Sequence, residues 1–243
     1  MSTPLVPVAH GSRDPRSAAT VRELVERVRE QAPGTEVHES FLDLSEPLVT
    51  DVLRRLHQRG HRRAVVVPLL LGSAFHARVD LPALVAGVRA DCPGFDVRVS
   101  DVLGVDPVLE QVALDRLAGA GLGPGSGLVV SAVGSSDAGA NAAVAGLAAR
   151  WEARLGIPVT EAFASAAEPD VPSAVRRLRA RGVGRVALAS WFLAPGRLPD
   201  RIAALAREAD REVFLAEPLG PDPRVATAVL RRYEAAQNRV PAR

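Results

Sequence analysis

At 243 residues the chain can bury a sizeable core without a disulfide or metal staple, as one large domain or as two of about 120 residues each. Its thirty basic residues are all arginine and its net charge is only +2, so no strong single-sign field points to a nucleic-acid or membrane-surface partner. Cys92 is the only cysteine, which excludes an internal disulfide and a cysteine-only metal cluster and is read as a buried structural thiol. No signal-peptide pattern opens the sequence and no run reaches the eighteen apolar residues of a membrane span, so a soluble, cytoplasmic protein is expected.

The pattern alternates strand and helix from the start. Leu5 to Val8 reads as a strand ending in His10-Gly11-Ser12, and Ser17 to Gln31 places Ala18, Val21, Leu24, Val25 and Val28 at helical spacing before Pro33-Gly34 stops it. Glu36 to Leu42 reads as a second strand. Ser45 is expected to cap a helix over Leu48 to Gln58, with Pro47 in its first turn. Ala64 to Leu71 is an unbroken apolar run, the mark of a central parallel strand buried on both faces. The loop Gly72 to His76 follows, then Asp80-Leu81-Pro82 opens a third helix, Phe95 to Ser100 a fourth strand, and Asp106-Pro107 a helix ending near Ala118. The class is α/β with parallel strands, flavodoxin-like in arrangement.

The same order then begins again. Gly11-Ser12 and Asp14 fall on Gly134-Ser135 and Asp137, Phe41 and Glu46-Pro47 on Phe163 and Glu168-Pro169, and Leu103-Gly104 with Asp106-Pro107 on Leu219-Gly220 with Asp222-Pro223. This internal duplication predicts two similar lobes, residues 1–118 and 128–243, joined by a Gly- and Pro-rich linker at 119–127, with a cleft between them. The duplication is also a control. His10 aligns with Val133 and Asp43 with Ser165, the loop holding His76 aligns with Pro195-Gly196-Arg197-Leu198, and all five histidines lie in the first half. Chemistry is therefore expected from the first lobe.

His10 ends the first strand and His76 follows the third, which are neighbours in a flavodoxin-like sheet, so both imidazoles can face one divalent metal ion over the carboxyl edge. The same groups accept protons near neutral pH. The alternative is that each is a hydrogen-bonded packing residue, and spacing alone does not decide between them. Asp43 can bring a carboxylate to the same edge. His38, His57 and His61 are read as surface residues, and Trp191-Phe192 as core packing, with stacking on a flat ligand as the alternative.

Three motifs together, His10-Gly11-Ser12-Arg13-Asp14, Phe41-Leu42-Asp43-Leu44-Ser45-Glu46-Pro47, and Pro68-Leu69-Leu70-Leu71 leading to His76 and Asp80-Leu81-Pro82, resemble the sirohydrochlorin chelatases. These are small class II chelatases of cobalamin and siroheme biosynthesis. The resemblance is clear over residues 5 to 118, and looser beyond, as in a degenerate second lobe. It implies ATP-independent insertion of Co²⁺ or Fe²⁺, in some members Ni²⁺, into a tetrapyrrole with eight carboxylates, with no cofactor beyond that substrate metal. His10 and His76 match the catalytic pair that binds the metal and assists removal of the pyrrole protons, with Asp43 as a third metal ligand. Cationic and neutral donors should meet the substrate carboxylates, and Arg13, Arg78, Ser12, Ser135 and Ser136 are the candidates. Nucleic acid and membrane are not expected as partners, and the fused lobes imply a monomer. A non-catalytic tetrapyrrole or metal carrier is the rival reading. A phosphate-ester enzyme is a weaker one, since no glycine-rich phosphate loop with lysine is present.

Overall fold

The computed structural model describes residues 3–72 and 79–238, so His76 and Arg78 lie outside the described residues. Strands β1 (Leu5–Ala9), β2 (Ser40–Phe41), β3 (Arg63–Pro68) and β4 (Asp96–Val99) form one parallel sheet in the order β2-β1-β3-β4. Strands β5 (Ser126–Ala132), β6 (Val159–Phe163), β7 (Arg185–Ser190) and β8 (Phe214–Leu215) form a second, in the equivalent order β6-β5-β7-β8. β1 and β5 are buried along their whole length, and β3 and β7 expose only their first arginine. That is the burial expected of apolar strands covered by helices on both faces.

The crossover helices are α1 (Pro15–Gln31), α2 (Val49–Gln58) and α3 (Leu81–Asp91) around the first sheet, and α5 (Ala138–Leu155), α6 (Val171–Ala180) and α7 (Arg197–Ala209) around the second. α1 buries the five residues its spacing marks, and Asp14 caps it by accepting from the Arg16 N–H at 3.1 Å, with Pro15 at the first helical position. Each fully buried Val or Leu of such a stripe stabilises by about 1.5–3 kcal/mol. Cys92 is buried beside Val88 and Phe95 in the first core, as its isolation in the sequence predicts.

The division of the chain differs from the expected boundary at 119–127. Residues 1–106 and 221–243 form one compact unit, and residues 107–220 form the other. Helix α4 (Pro107–Asp115), expected to complete the first lobe, packs in the second unit against β7, whereas α8 (Pro223–Asn238) packs on α1, β3 and β4 of the first. The side chains give the reason. Arg231 and Arg232 of α8 reach Asp106 and the Val102 and Leu103 carbonyls, and Tyr233 donates to the Thr3 carbonyl. In the second unit Glu110 of α4 pairs with Arg150 at 2.7 Å and accepts from the indole N–H of fully buried Trp151 at 3.1 Å. Glu110→Ala leaves that indole without its acceptor. It is expected to cost about 1–2 kcal/mol, read as a lower urea midpoint.

Several local expectations are corrected. β2 is shorter than predicted because the chain before it pairs with β1 only at an isolated bridge, Val37 opposite Leu5, where Arg29 also donates twice to the Val37 carbonyl, at 3.2 and 2.9 Å. α2 begins at Val49, with Leu48 at the cap position, and Ser45 and Pro47 belong to the preceding turn, where Glu46-Pro47 is cis. Asp80, at the start of α3, makes no cap hydrogen bond with its side chain. His57 and His61 are half-buried, not exposed surface residues. The Nδ1 of His57 is buried, with the ring 5.5 Å from Phe95, and the His61 side chain is 9% exposed with Nε2 3.1 Å from Glu36.

Glu36 gathers His38 at 2.8 Å, Arg59 at 2.8 Å and His61 on one carboxylate. Desolvation pushes its pKa up, but the His38 hydrogen bond and the charges of His38, Arg59 and His61 outweigh it and hold the carboxyl below the ordinary glutamate value. A folded pKa below the unfolded one stabilises fully above the unfolded value and loses that contribution as pH falls through the folded one. Urea midpoints taken from about pH 6 down to about pH 3 should therefore fall less steeply for Glu36→Gln than for wild type.

Candidate functional site at the carboxyl edge of the first sheet

The strand order places the topological switch between β1 and β3, the position where parallel α/β sheets bind ligands. His10 follows β1 directly, half-buried. β3 ends in register beside it, with Pro68 opposite Val8 and the Leu69 N–H donating to the Val8 carbonyl at 2.8 Å. The loop that carries His76 and Arg78 thus starts next to His10, although those two residues are outside the described part.

Two other loops are clipped together at this edge. The Leu42 N–H donates to the Ala9 carbonyl at 2.8 Å and the Asp43 N–H to the His10 carbonyl at 3.0 Å, which continues the strand pairing past the end of β1. Ser45 then joins the two turns through one hydroxyl, accepting from the Ser12 N–H and donating to the Ser12 carbonyl, both at 3.1 Å. The Ser12 hydroxyl accepts from the Asp14 N–H at 3.0 Å, so Ser12 has a structural task at the start of α1. Gly11 is required by close approach. Its φ is +94°, and a Cβ there would lie 1.7 Å from the Asp43 carbonyl oxygen.

Asp43 and Ser45 enclose a three-residue turn. The Ser45 N–H donates to the Asp43 carbonyl at 2.7 Å, the Asp43 side chain accepts from the Leu44 N–H at 2.7 Å, and Leu44 has φ +59°. A left-handed backbone costs a branched residue roughly 1–2 kcal/mol, so this turn is held by its hydrogen bonds. Asp43 is exposed, as is Arg13. The backbone pairing therefore brings His10 and Asp43 to one edge. Among the described residues no group of three or more His, Cys, Asp or Glu side chains stands close enough to hold a metal ion. The third expected ligand, His76, is not among them.

The second unit builds the same frame without the chemistry. The Ala164 N–H donates to Ala132 and the Ser165 N–H to Val133, at 2.9 and 3.0 Å. Gly134 has φ +83°, with the position of a Cβ 2.0 Å from the Ser165 carbonyl oxygen. Ala166 repeats the left-handed turn at φ +56°. Asn141 replaces Ser45 as the clip, accepting from the Ser135 N–H and donating to its carbonyl. Ser135 and exposed Ser136 hold the places of Ser12 and Arg13 on this unit's own edge, while Val133 and Ser165 stand where the first unit has His10 and Asp43. Trp191 and Phe192 are buried.

Sequence reasoning missed the Ser45 clip and the Leu44 turn. The signal for the clip is a reciprocal exchange between the repeats. Ser45 of the first unit becomes Ala167 in the second, and Asn141 of the second stands where the first has Ala18. Each unit thus keeps one polar side chain for the task, on a different element. The Leu44 turn carries no glycine or asparagine to announce it.

A family model described as CbiX matches residues 4–120 and, a second time, residues 127–236. The sirohydrochlorin ferrochelatase of Bacillus subtilis (strain 168) is 26% identical over 251 residues, covering 98% of this chain and 94% of that relative. The sirohydrochlorin cobaltochelatase of Methanopyrus kandleri is 28% identical over 133 residues, which are 46% of this chain and 93% of that shorter protein. The solved structure of SirB from Bacillus subtilis with Fe³⁺ superposes with a TM-score of 0.84 at 23% identity, covering 98% of this chain and 96% of that one, a likeness of fold.

Proposed function

Because this chain belongs to the CbiX family, we propose that it inserts a divalent metal ion into sirohydrochlorin at the carboxyl edge that carries His10. The observation that carries this reading is the twice-built loop frame, of which only the first copy holds an imidazole and a carboxylate. The frame forms without either group in the second unit, which supports a chemical reason for both in the first.

In this reading the metal is a substrate, Co²⁺, Fe²⁺ or Ni²⁺, and it displaces two pyrrole protons from the macrocycle. Neutral His10 donates a nitrogen lone pair to the incoming ion and, once the ion has passed to the ring, accepts a displaced proton. His76, on the loop that starts beside His10, is its proposed partner and takes the second. Asp43 keeps lone pairs beyond the one bound by the Leu44 N–H, so its carboxylate can ligate the ion or lower the cost of a charged imidazole. Exposed Arg13 and the Ser12 hydroxyl, with Arg78, are proposed donors to the peripheral carboxylates. No described helix is long and apolar enough to cross a membrane.

The test is an anaerobic absorbance assay with the full chain, sirohydrochlorin and each metal in turn. Loss of the free-base bands over many turnovers, faster than without protein, supports the chelatase. Tight binding with no acceleration makes the chain a carrier instead, and withdraws the roles given to the two histidines.

A further inference from the structure

We infer that Leu44 is an apolar contact for the flat face of the tetrapyrrole, a substrate residue outside the metal and proton chemistry; this rests on the function proposed above. Among the described residues three large hydrophobic side chains stand out as exposed, Leu44 at 47%, Val79 at 47% and Val133 at 45%. Each follows the carboxyl end of a strand: Leu44 after β2, Val79 after β3 and Val133 after β5. Scattered exposed leucines need no explanation, but two such side chains of the first unit, Leu44 and Val79, both stand at the edge that carries His10, and that does.

The duplicated turn removes the structural explanation. Ala166 holds the same left-handed backbone as Leu44, φ +56° against +59°, so the turn does not require a leucine. With alanine the first unit would keep its turn and expose less apolar surface. The leucine is also presented rigidly. Its N–H is bound by the Asp43 side chain, the turn is closed by the Ser45 N–H, and the Asp43 N–H fixes it to the carbonyl of His10. A backbone held in this way leaves only side-chain rotation to be lost when a ligand is met.

The chemistry of the ligand supplies the other half. A conjugated macrocycle with carboxylates on its rim has two apolar faces, and a site that met only the rim would leave a face against water. Among the described residues of this unit, the aromatic side chain nearest these strand ends, Phe41, is buried and not available for that face. An aliphatic contact one residue from Asp43 fills the need and sets the ring against His10. Val79, shortly before α3, is the second such side chain on this unit.

The experiment compares Leu44→Ala and Leu44→Met with wild type in the full chain, by steady-state metallation of sirohydrochlorin and by thermal melting. Leu44→Ala should melt with wild type, raise KM for sirohydrochlorin about tenfold, and leave kcat and the KM for the metal within about twofold. Leu44→Met, close in volume, should restore KM. An unchanged KM, or a loss confined to kcat, overturns the inference while wild-type turnover leaves the proposed function standing. A Leu44→Ala chain that melts well below wild type also overturns it, because the turn would then need its leucine. If wild type neither binds nor metallates sirohydrochlorin, the proposed function falls and this contact falls with it.

Discussion

Gly11→Ala is expected to lower stability by on the order of 3–5 kcal/mol, because the new Cβ would sit 1.7 Å from the Asp43 carbonyl oxygen at a φ of +94°. No flexible group can move aside, since the obstacle is backbone. Relief requires the turn at Asp43 to separate from the one after β1, which breaks the Asp43-to-His10 and Ser12-to-Ser45 hydrogen bonds together. Urea unfolding should show the loss, and any folded fraction should metallate poorly. Gly134→Ala, with its Cβ 2.0 Å from the Ser165 carbonyl, should destabilise comparably, and comparing residual activity separates loss of fold from loss of the His10 edge. A Gly11→Ala chain as stable as wild type would mean that the two turns are not in contact.

His10→Ala is expected to leave the fold intact and to lower the metallation rate by about 10²–10⁴-fold, the range that a positioned acid–base group supplies. Val133 occupies the corresponding place after β5 in a unit with the same strand order and the same loop pairing, so the frame does not depend on an imidazole. Circular dichroism and melting should match wild type while the free-base bands of sirohydrochlorin persist. Insertion at the wild-type rate would remove His10 from the chemistry.

Much of the fold is readable from the residues because the local signals are strong and consistent. The five apolar residues of α1 repeat at helical spacing, Ala64 to Val67 form an unbroken β-branched-rich run, and both agree with where the chain buries them. His10 stands out as a candidate because it ends a strand and lacks a counterpart in the repeat. The exchange of α4 and α8 is not legible, since an amphipathic helix records that it has a buried face and not which sheet covers it. The partners that decide it, such as Asp106 with Arg231, lie 125 residues apart. The cap predicted at Ser45 fails for a related reason, because its hydroxyl serves a turn 33 residues away in place of the helix beside it. The turn at Leu44 is hidden because left-handed backbone there is imposed by hydrogen bonds and not by residue type.

The crossing of α4 and α8 also sets an order of maturation during synthesis. The middle of the chain, residues 107–220, is continuous and can close its own sheet as soon as it leaves the ribosome. The segment made first must wait for the segment made last, because α8, with Val225, Val229 and Tyr233 buried, packs on α1, β3 and β4. Chains ended at residue 220 and released should therefore hold a finished second unit and a first one still open to protease.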